Sequence, residues 1–162
     1  MRPVRIPASA LVDMRRHARE TYPDECCGFL IAGPDPPAPH TPRDVYSVLR
    51  AANEYEGERR RRFVIRPDEL RSAERRLEGT AHLVAGFYHS HPDHPARPSQ
   101  FDQDHAWPWY SYLVLSVTAS ETPAVGAFEL DADSGLFREV ELEIRDRAVV
   151  GVTESLSAPG ER

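Results

Sequence analysis

Apolar positions follow two patterns along this chain. Cys27–Ala32, Leu83–His89 and Tyr112–Val117 are short, nearly continuous apolar runs, and each predicts a strand covered on both faces. Elsewhere the apolar residues are spaced. Ser9 followed by Ala10–Thr21 puts Leu11, Met14 and Ala18 on one side of a helix, with Ser9 as its N-cap and Pro23 beyond its end. Pro67–Leu77 puts Leu70, Ala73 and Leu77 on one face, and Pro67 suits a first helical turn. Val45–Arg50 alternates as a strand, and Phe63–Ile65 reads as a shorter one. Val125–Leu130 and Leu136–Ile144 predict a hairpin around Asp131–Gly135. Two proline-rich stretches predict loops: Gly33–Pro42, and His91–Gln100 with prolines at 92, 95 and 98 and another at 108. Ser99 can cap a helix running through Phe101 to Trp107. Helices alternating with strands in this order predict a mixed β-sheet with helices packed on it, in the α/β or α+β class.

Length narrows the picture to one domain. At 162 residues the expectation is a single domain over residues 1–150, with a small, polar, disordered tail at 151–162. Hydrophobic residues at 40% and charged residues at 28% fit a globular chain and not a disordered one. No apolar run approaches the ~18 residues of a membrane span, and the start lacks the pattern of a signal peptide. The net charge of −6 weighs against non-specific nucleic-acid binding. All 20 basic residues are arginine. Cys26 and Cys27 are adjacent, which disfavours a disulfide between them and points to a reducing, cytoplasmic setting.

Chemistry gathers at His89-Ser90-His91-Pro92, with Ser99 and Asp102 downstream. Histidines two apart at the end of a strand project to one side. Asp102, on the helix that follows, can supply a third ligand. Two histidines and a carboxylate leave a tetrahedral zinc one open position. Zinc there lowers the pKa of water to about 7. Peptide hydrolysis also needs a group to take the water's proton and pass it to the departing amine. Glu25, just before the Cys27–Ala32 strand, is the candidate if that strand lies beside Leu83–His89. Ser99 is placed to stabilise an oxyanion.

His89, His91, Ser99 and Asp102 match a pattern of His-x-His, seven residues, Ser, two residues, Asp. In this the chain resembles the JAMM (MPN+) metalloproteases, the Mov34/MPN/PAD-1 family. The stretch Pro23-Asp24-Glu25-Cys26-Cys27-Gly28-Phe29-Leu30 is similar to that family's glutamate strand, and the order of elements agrees from about Ile6 to Ile144. The resemblance implies a cytidine-deaminase-like mixed sheet flanked by helices. It implies one zinc per chain on His89, His91 and Asp102, Glu25 as acid/base, and Ser99 supporting the tetrahedral intermediate. It also implies cleavage after the C-terminal Gly-Gly of a ubiquitin-like or sulfur-carrier protein. The short chain is similar to the small stand-alone prokaryotic members, which release an amino acid or trim an extension from such a tail. Glycines suit a narrow channel, and an extended tail can pair with a strand edge.

Other readings weigh less. Zinc deaminases need His-x-Glu and Pro-Cys-x-x-Cys, which this sequence lacks. The DNA-repair-associated branch usually has Asn between the histidines, where this chain has Ser90. A non-catalytic, metal-stabilised module would not need Glu25 and Ser99. Around the site, His105 is a candidate to orient a ligand from behind. Arg59–Arg62 could dock an acidic carrier. Trp107, Trp109 and Tyr110 could line a substrate groove. Cys26 and Cys27 read first as buried packing residues.

Overall fold

The computed structural model describes residues 1–120 and 122–145; the tail predicted at 151–162 lies outside them. In chain order the elements are β1 (Val4–Pro7), α1 (Ala8–Thr21), β2 (Cys27–Ala32), β3 (Arg43–Ala51), α2 (Pro67–Leu77), β4 (Leu83–Pro92), α3 (Gln100–Asp104), β5 (Ser111–Val117), β6 (Ala124–Leu130), β7 (Phe137–Val140) and β8 (Leu142–Arg145). The strands form one mixed sheet in the order β7-β6-β5-β4-β2-β3-β1-β8. The uninterrupted apolar runs became its centre: β5, β4 and β2 lie side by side, covered on both faces.

The two faces have different cores. On one, α1 packs Leu11, Met14 and Ala18 against Cys26, Leu30, Tyr88, Leu113 and Leu115. On the other, Ala73, Leu70 and Leu77 of α2 meet Cys27, Phe29 and Ile31. Because side chains alternate along a strand, Cys26 and Cys27 enter opposite cores. The same alternation turns Tyr88 towards α1 and leaves His89 and His91 on the side of α2. Gly28 pairs with Tyr88 in register. A Cβ at Gly28 would run into the Tyr88 ring and the Leu49 carbonyl oxygen, so this crossing of β2 and β4 requires a glycine.

Among the described residues only β4–β5, β1–β3 and β1–β8 are parallel pairs. Parallel neighbours cannot be joined by a tight turn and need a crossover. The β4–β5 crossover is the segment that carries Ser99, α3 and Asp102, and it begins where His89 and His91 end β4. No helix among the described residues is long and apolar enough to cross a membrane.

Four expectations are corrected. The first helix starts at Ala8, with Pro7 as its N-cap, and not behind a Ser9 cap. The chain passes directly from β1 into α1, so Ser9 falls within the first turn. Phe63–Ile65 joins no ladder among the described residues. Val64 instead bonds to the Asn53 side chain and to Glu54: its N–H donates to Asn53 Oδ1 at 3.2 Å and its carbonyl accepts from Glu54 N–H at 3.0 Å. The third helix stops at Asp104 with His105 as C-cap, short of Trp107. Pro108 disfavours helical backbone at the residue before it. Finally, Leu136–Ile144 is two strands. β7 pairs with β6 around the predicted turn, with Leu130 opposite Phe137. At Glu141, whose carbonyl accepts from Val4 N–H at 2.8 Å, the chain leaves β6 and crosses to pair β8 with β1.

Candidate metal centre

His89 and His91 face the same side at the end of β4, and α3 brings Asp102 against them. His89 Nε2 lies 3.1 Å from His91 Nε2. Asp102 Oδ2 lies 3.3 Å from His89 Nε2 and 3.2 Å from His91 Nε2. All three side chains are nearly buried, at 2%, 9% and 8% exposure.

Local contacts fix each of the three. His91 Nδ1 meets the Pro95 carbonyl oxygen at 3.2 Å, a contact that needs the proton on Nδ1 and leaves the Nε2 lone pair free. His89 stacks on Phe63, with ring centroids 4.5 Å apart and planes at 25°. Asp102 Oδ2 accepts the Ser99 backbone N–H at 2.6 Å and the Ser99 hydroxyl at 2.7 Å. The Ser99 oxygen in turn accepts from the Asp102 N–H at 3.2 Å, completing a capping box.

Electrostatics agree with the geometry. Burial holds His89 below the ordinary histidine value, against the pull of Asp102. Burial would raise the Asp102 carboxyl, but hydrogen bonds with His89 and His91 outweigh it and keep it well below the usual carboxylate range. Two imidazole Nε2 atoms and a carboxylate oxygen thus converge on one point. Such a triangle repels itself unless a cation stands against it. A first-row divalent ion bound at about 2.0–2.1 Å with tetrahedral angles sets its ligand atoms about 3.3 Å apart. The observed edges of 3.1–3.3 Å fit that requirement.

Glu25 borders the triangle. Its backbone N–H donates to the Arg59 carbonyl oxygen at 2.8 Å, and its own carbonyl accepts from Asn53 Nδ2 at 3.0 Å. The residue is 3% exposed. Oε1 lies 4.0 Å from His91 Nε2, and Oε2 is buried without a hydrogen-bond partner. Burial first, and the Asp102 charge second, push its carboxyl up to about 9. A carboxyl so placed holds its proton at neutral pH and releases it only when positive charge is near.

Cavities open on both sides of the cluster. One, of about 560 Å³, is lined by Glu25, His91 and Ser99 together with Arg61, Arg62 and Arg97. The other, of about 400 Å³, lies against His89 and Asp102 and is walled by Phe63, Leu70, Phe87 and Trp107.

The remaining sequence candidates divide. His105 donates from Nδ1 to the Phe101 carbonyl oxygen at 2.8 Å and packs on the Phe101 ring, and it makes no hydrogen bond to a ligand side chain. Trp107 lines the apolar cavity, whereas Trp109 and Tyr110 line a separate one near α2. Trp109 also lies under the buried Arg43 guanidinium, 4.5 Å from its ring centroid. Cys26 and Cys27 are free and buried, and burial raises both thiols, Cys26 to about 11. Sequence reasoning missed Asn53, whose side chain ties Glu25 to Arg62 and Val64. It also missed Phe63 and Arg97. Asn53 left one signal: it is the chain's sole asparagine, set at a strand end.

A mixed sheet whose parallel crossover completes a His-His-Asp cluster beside a buried glutamate defines a metal-centre protein of the JAB/MPN fold. The profile described as prokaryotic homologs of the JAB domain matches residues 7–130, and the chain belongs to this family. It is 31% identical over 147 residues to the desampylase of Haloferax volcanii, an alignment covering 86% of this chain and 94% of that one. Its fold is similar to the solution structure of a Desulfitobacterium hafniense protein, with TM-score 0.75, 27% identity, and 92% and 96% of the two chains covered. A JAB1/MPN domain protein from Archaeoglobus fulgidus shares the fold at TM-score 0.52 and 19% identity, over 87% of this chain and 98% of that one.

Proposed function

We propose that the chain is a zinc-dependent metallopeptidase that hydrolyses the bond after the C-terminal Gly-Gly of a ubiquitin-like or sulfur-carrier protein. The observation that carries the reading is the pairing of this triangle with a buried glutamate that reaches to 4.0 Å from it and has one carboxylate oxygen without a hydrogen-bond partner. His89, His91 and Asp102 hold one zinc. Bound zinc supplies Lewis acidity towards water and the scissile carbonyl. Glu25 takes the proton of the attacking water and delivers it to the departing nitrogen. Its burial keeps water from competing for that proton. Ser99 holds Asp102 in place and turns its hydroxyl to the oxyanion as the carbonyl is attacked.

The apolar cavity supports a glycine tail. Phe63 and Trp107 line a cleft beside His89, narrow enough to favour a tail without side chains. The 31% relative, a desampylase, is in keeping with a protein-tail substrate. Free, buried cysteines are in keeping with a cytoplasmic setting. The test is intact-mass analysis of a sulfur carrier extended beyond Gly-Gly. Incubation with zinc-loaded protein is expected to remove the extension at Gly-Gly, and a chelator to prevent it. Cleavage that survives the chelator, or none with zinc bound, would contradict the reading.

A further inference from the structure

The larger cavity is cationic where it meets the reacting groups. Arg61, Arg62 and Arg97 line it together with Glu25, His91 and Ser99. None of these three arginines has a carboxylate within 4.0 Å among the described residues, although the chain carries 26 acidic residues. Arg62 is held in place: its guanidinium carbon stands 4.5 Å from the Phe101 ring centroid, and its backbone carbonyl accepts from Asn53 Nδ2 at 3.0 Å. A guanidinium stacked on a ring keeps its donor edge free for an anion. Arg97 follows a tight turn in which its N–H donates to the Pro95 carbonyl oxygen at 2.8 Å. That carbonyl also holds His91. Arg97 is thereby tied in backbone position to a residue of the metal cluster.

Resting on the proposed reaction, the direction of the substrate follows from proton transfer. Hydrolysis breaks the C–N bond after Gly-Gly. The water's OH joins the glycine carbonyl carbon, and a proton passes through Glu25 to the departing nitrogen. That nitrogen must therefore sit on the side of Glu25, in the arginine-lined cavity. In an α-amino acid the carboxylate carbon is only about 2.5 Å from the nitrogen, so it stays inside the same cavity. A lysine side chain joined through Nζ brings only methylenes to that place.

We propose that Arg61, Arg62 and Arg97 form a site for a free α-carboxylate on the leaving side. The preferred substrate then carries a single residue, ending in a carboxylate, after Gly-Gly. Planar guanidinium forks match a carboxylate with paired hydrogen bonds. A C-terminal amide or an isopeptide-linked lysine lacks the charge they read.

The experiment uses two tail peptides that end in Gly-Gly-Ala, one a free acid and one a C-terminal amide, and a third with Gly-Gly joined to a lysine Nζ. The zinc-loaded protein is expected to cleave the acid with a kcat/KM at least about tenfold above the amide and the isopeptide, the scale of a charged hydrogen bond. In Arg61→Gln/Arg97→Gln the acid-to-amide ratio is expected to fall towards one. An amide or isopeptide cut as fast as the acid overturns the proposal, as does a ratio unchanged in the double variant. A second readout needs no turnover. Arginine Nε–H resonances of the metal-free protein are followed as either Ala-terminated peptide is added. Shifts at Arg61 and Arg97 with the acid alone support the site, and equal shifts with both overturn it. Acid-specific shifts without cleavage of any peptide would count against the proposed reaction while upholding the carboxylate site.

Discussion

At Ser99 one hydroxyl accepts the Asp102 amide proton at 3.2 Å and donates to the Asp102 carboxylate at 2.7 Å. Helix capping and ligand orientation are thus the same contact. Ser99→Ala is expected to weaken zinc binding about 10- to 100-fold, the usual cost of losing a group that orients a ligand. The metal-free protein should lose about 1 kcal/mol from the missing cap. Competition against a chelating dye and thermal melting would measure the two. Unchanged zinc affinity would mean that the backbone N–H of Ser99 alone holds the carboxylate. The histidines, Ser99 and Asp102 were legible in the sequence because they lie within fourteen positions of one another, where spacing dictates facing. Phe63 and Asn53 were not, nor was Arg97, which lies inside that span but in a proline-rich loop without a helical or strand period. Their places depend on how the long segments between strands fold back over β2 and β4, which no local spacing encodes.

Element by element, legibility followed the length and continuity of the apolar run. The continuous apolar strands at the centre announced themselves. β1 did not, because it has only four residues, one of them charged, and one of its partners, β8, lies far along the chain; β8 was read only as the end of a single Leu136–Ile144 strand. Their register is held partly by the ion pair of Arg5 with Glu143 at 2.8 Å. One coupling between elements has a pH signature. His17 on α1 is 9% exposed, and its Nδ1 lies 2.8 Å from the Tyr88 hydroxyl of β4. Burial, then the charge of Arg50, lower its pKa to about 4, and Glu20 opposes them. The folded protein therefore keeps His17 neutral at pH values where the unfolded chain protonates it. The stability this provides is present above about pH 6.5 and is lost as pH falls towards 4, at most about 3 kcal/mol. Denaturant unfolding should show a shallower decline for His17→Gln than for the native chain between those values. Equal slopes would mean that His17 takes up its proton without resistance.

Across the whole molecule, the net charge of −6 and the arginine-lined cavity have opposite signs. The chain as a whole is negatively charged, while the three arginines give the site a local positive field suited to an anionic group. The sheet topology explains why these coincide. The parallel β4–β5 crossover supplies Asp102, Ser99 and Arg97, while the long β3–α2 connection supplies Arg61, Arg62 and Phe63. Both close over the β2–β4 seam, where Glu25 and the histidines stand. The account rests on a division of labour there: His89, His91 and Asp102 bind the ion, and Glu25 moves the proton. Zinc content and cleavage of a Gly-Gly-extended carrier, measured side by side for the native chain and Glu25→Gln, test that division most directly. The account predicts one zinc per chain in both proteins and a loss of cleavage of about 10²- to 10⁴-fold in the variant. Cleavage retained by Glu25→Gln, or a native chain that binds no zinc, would contradict it.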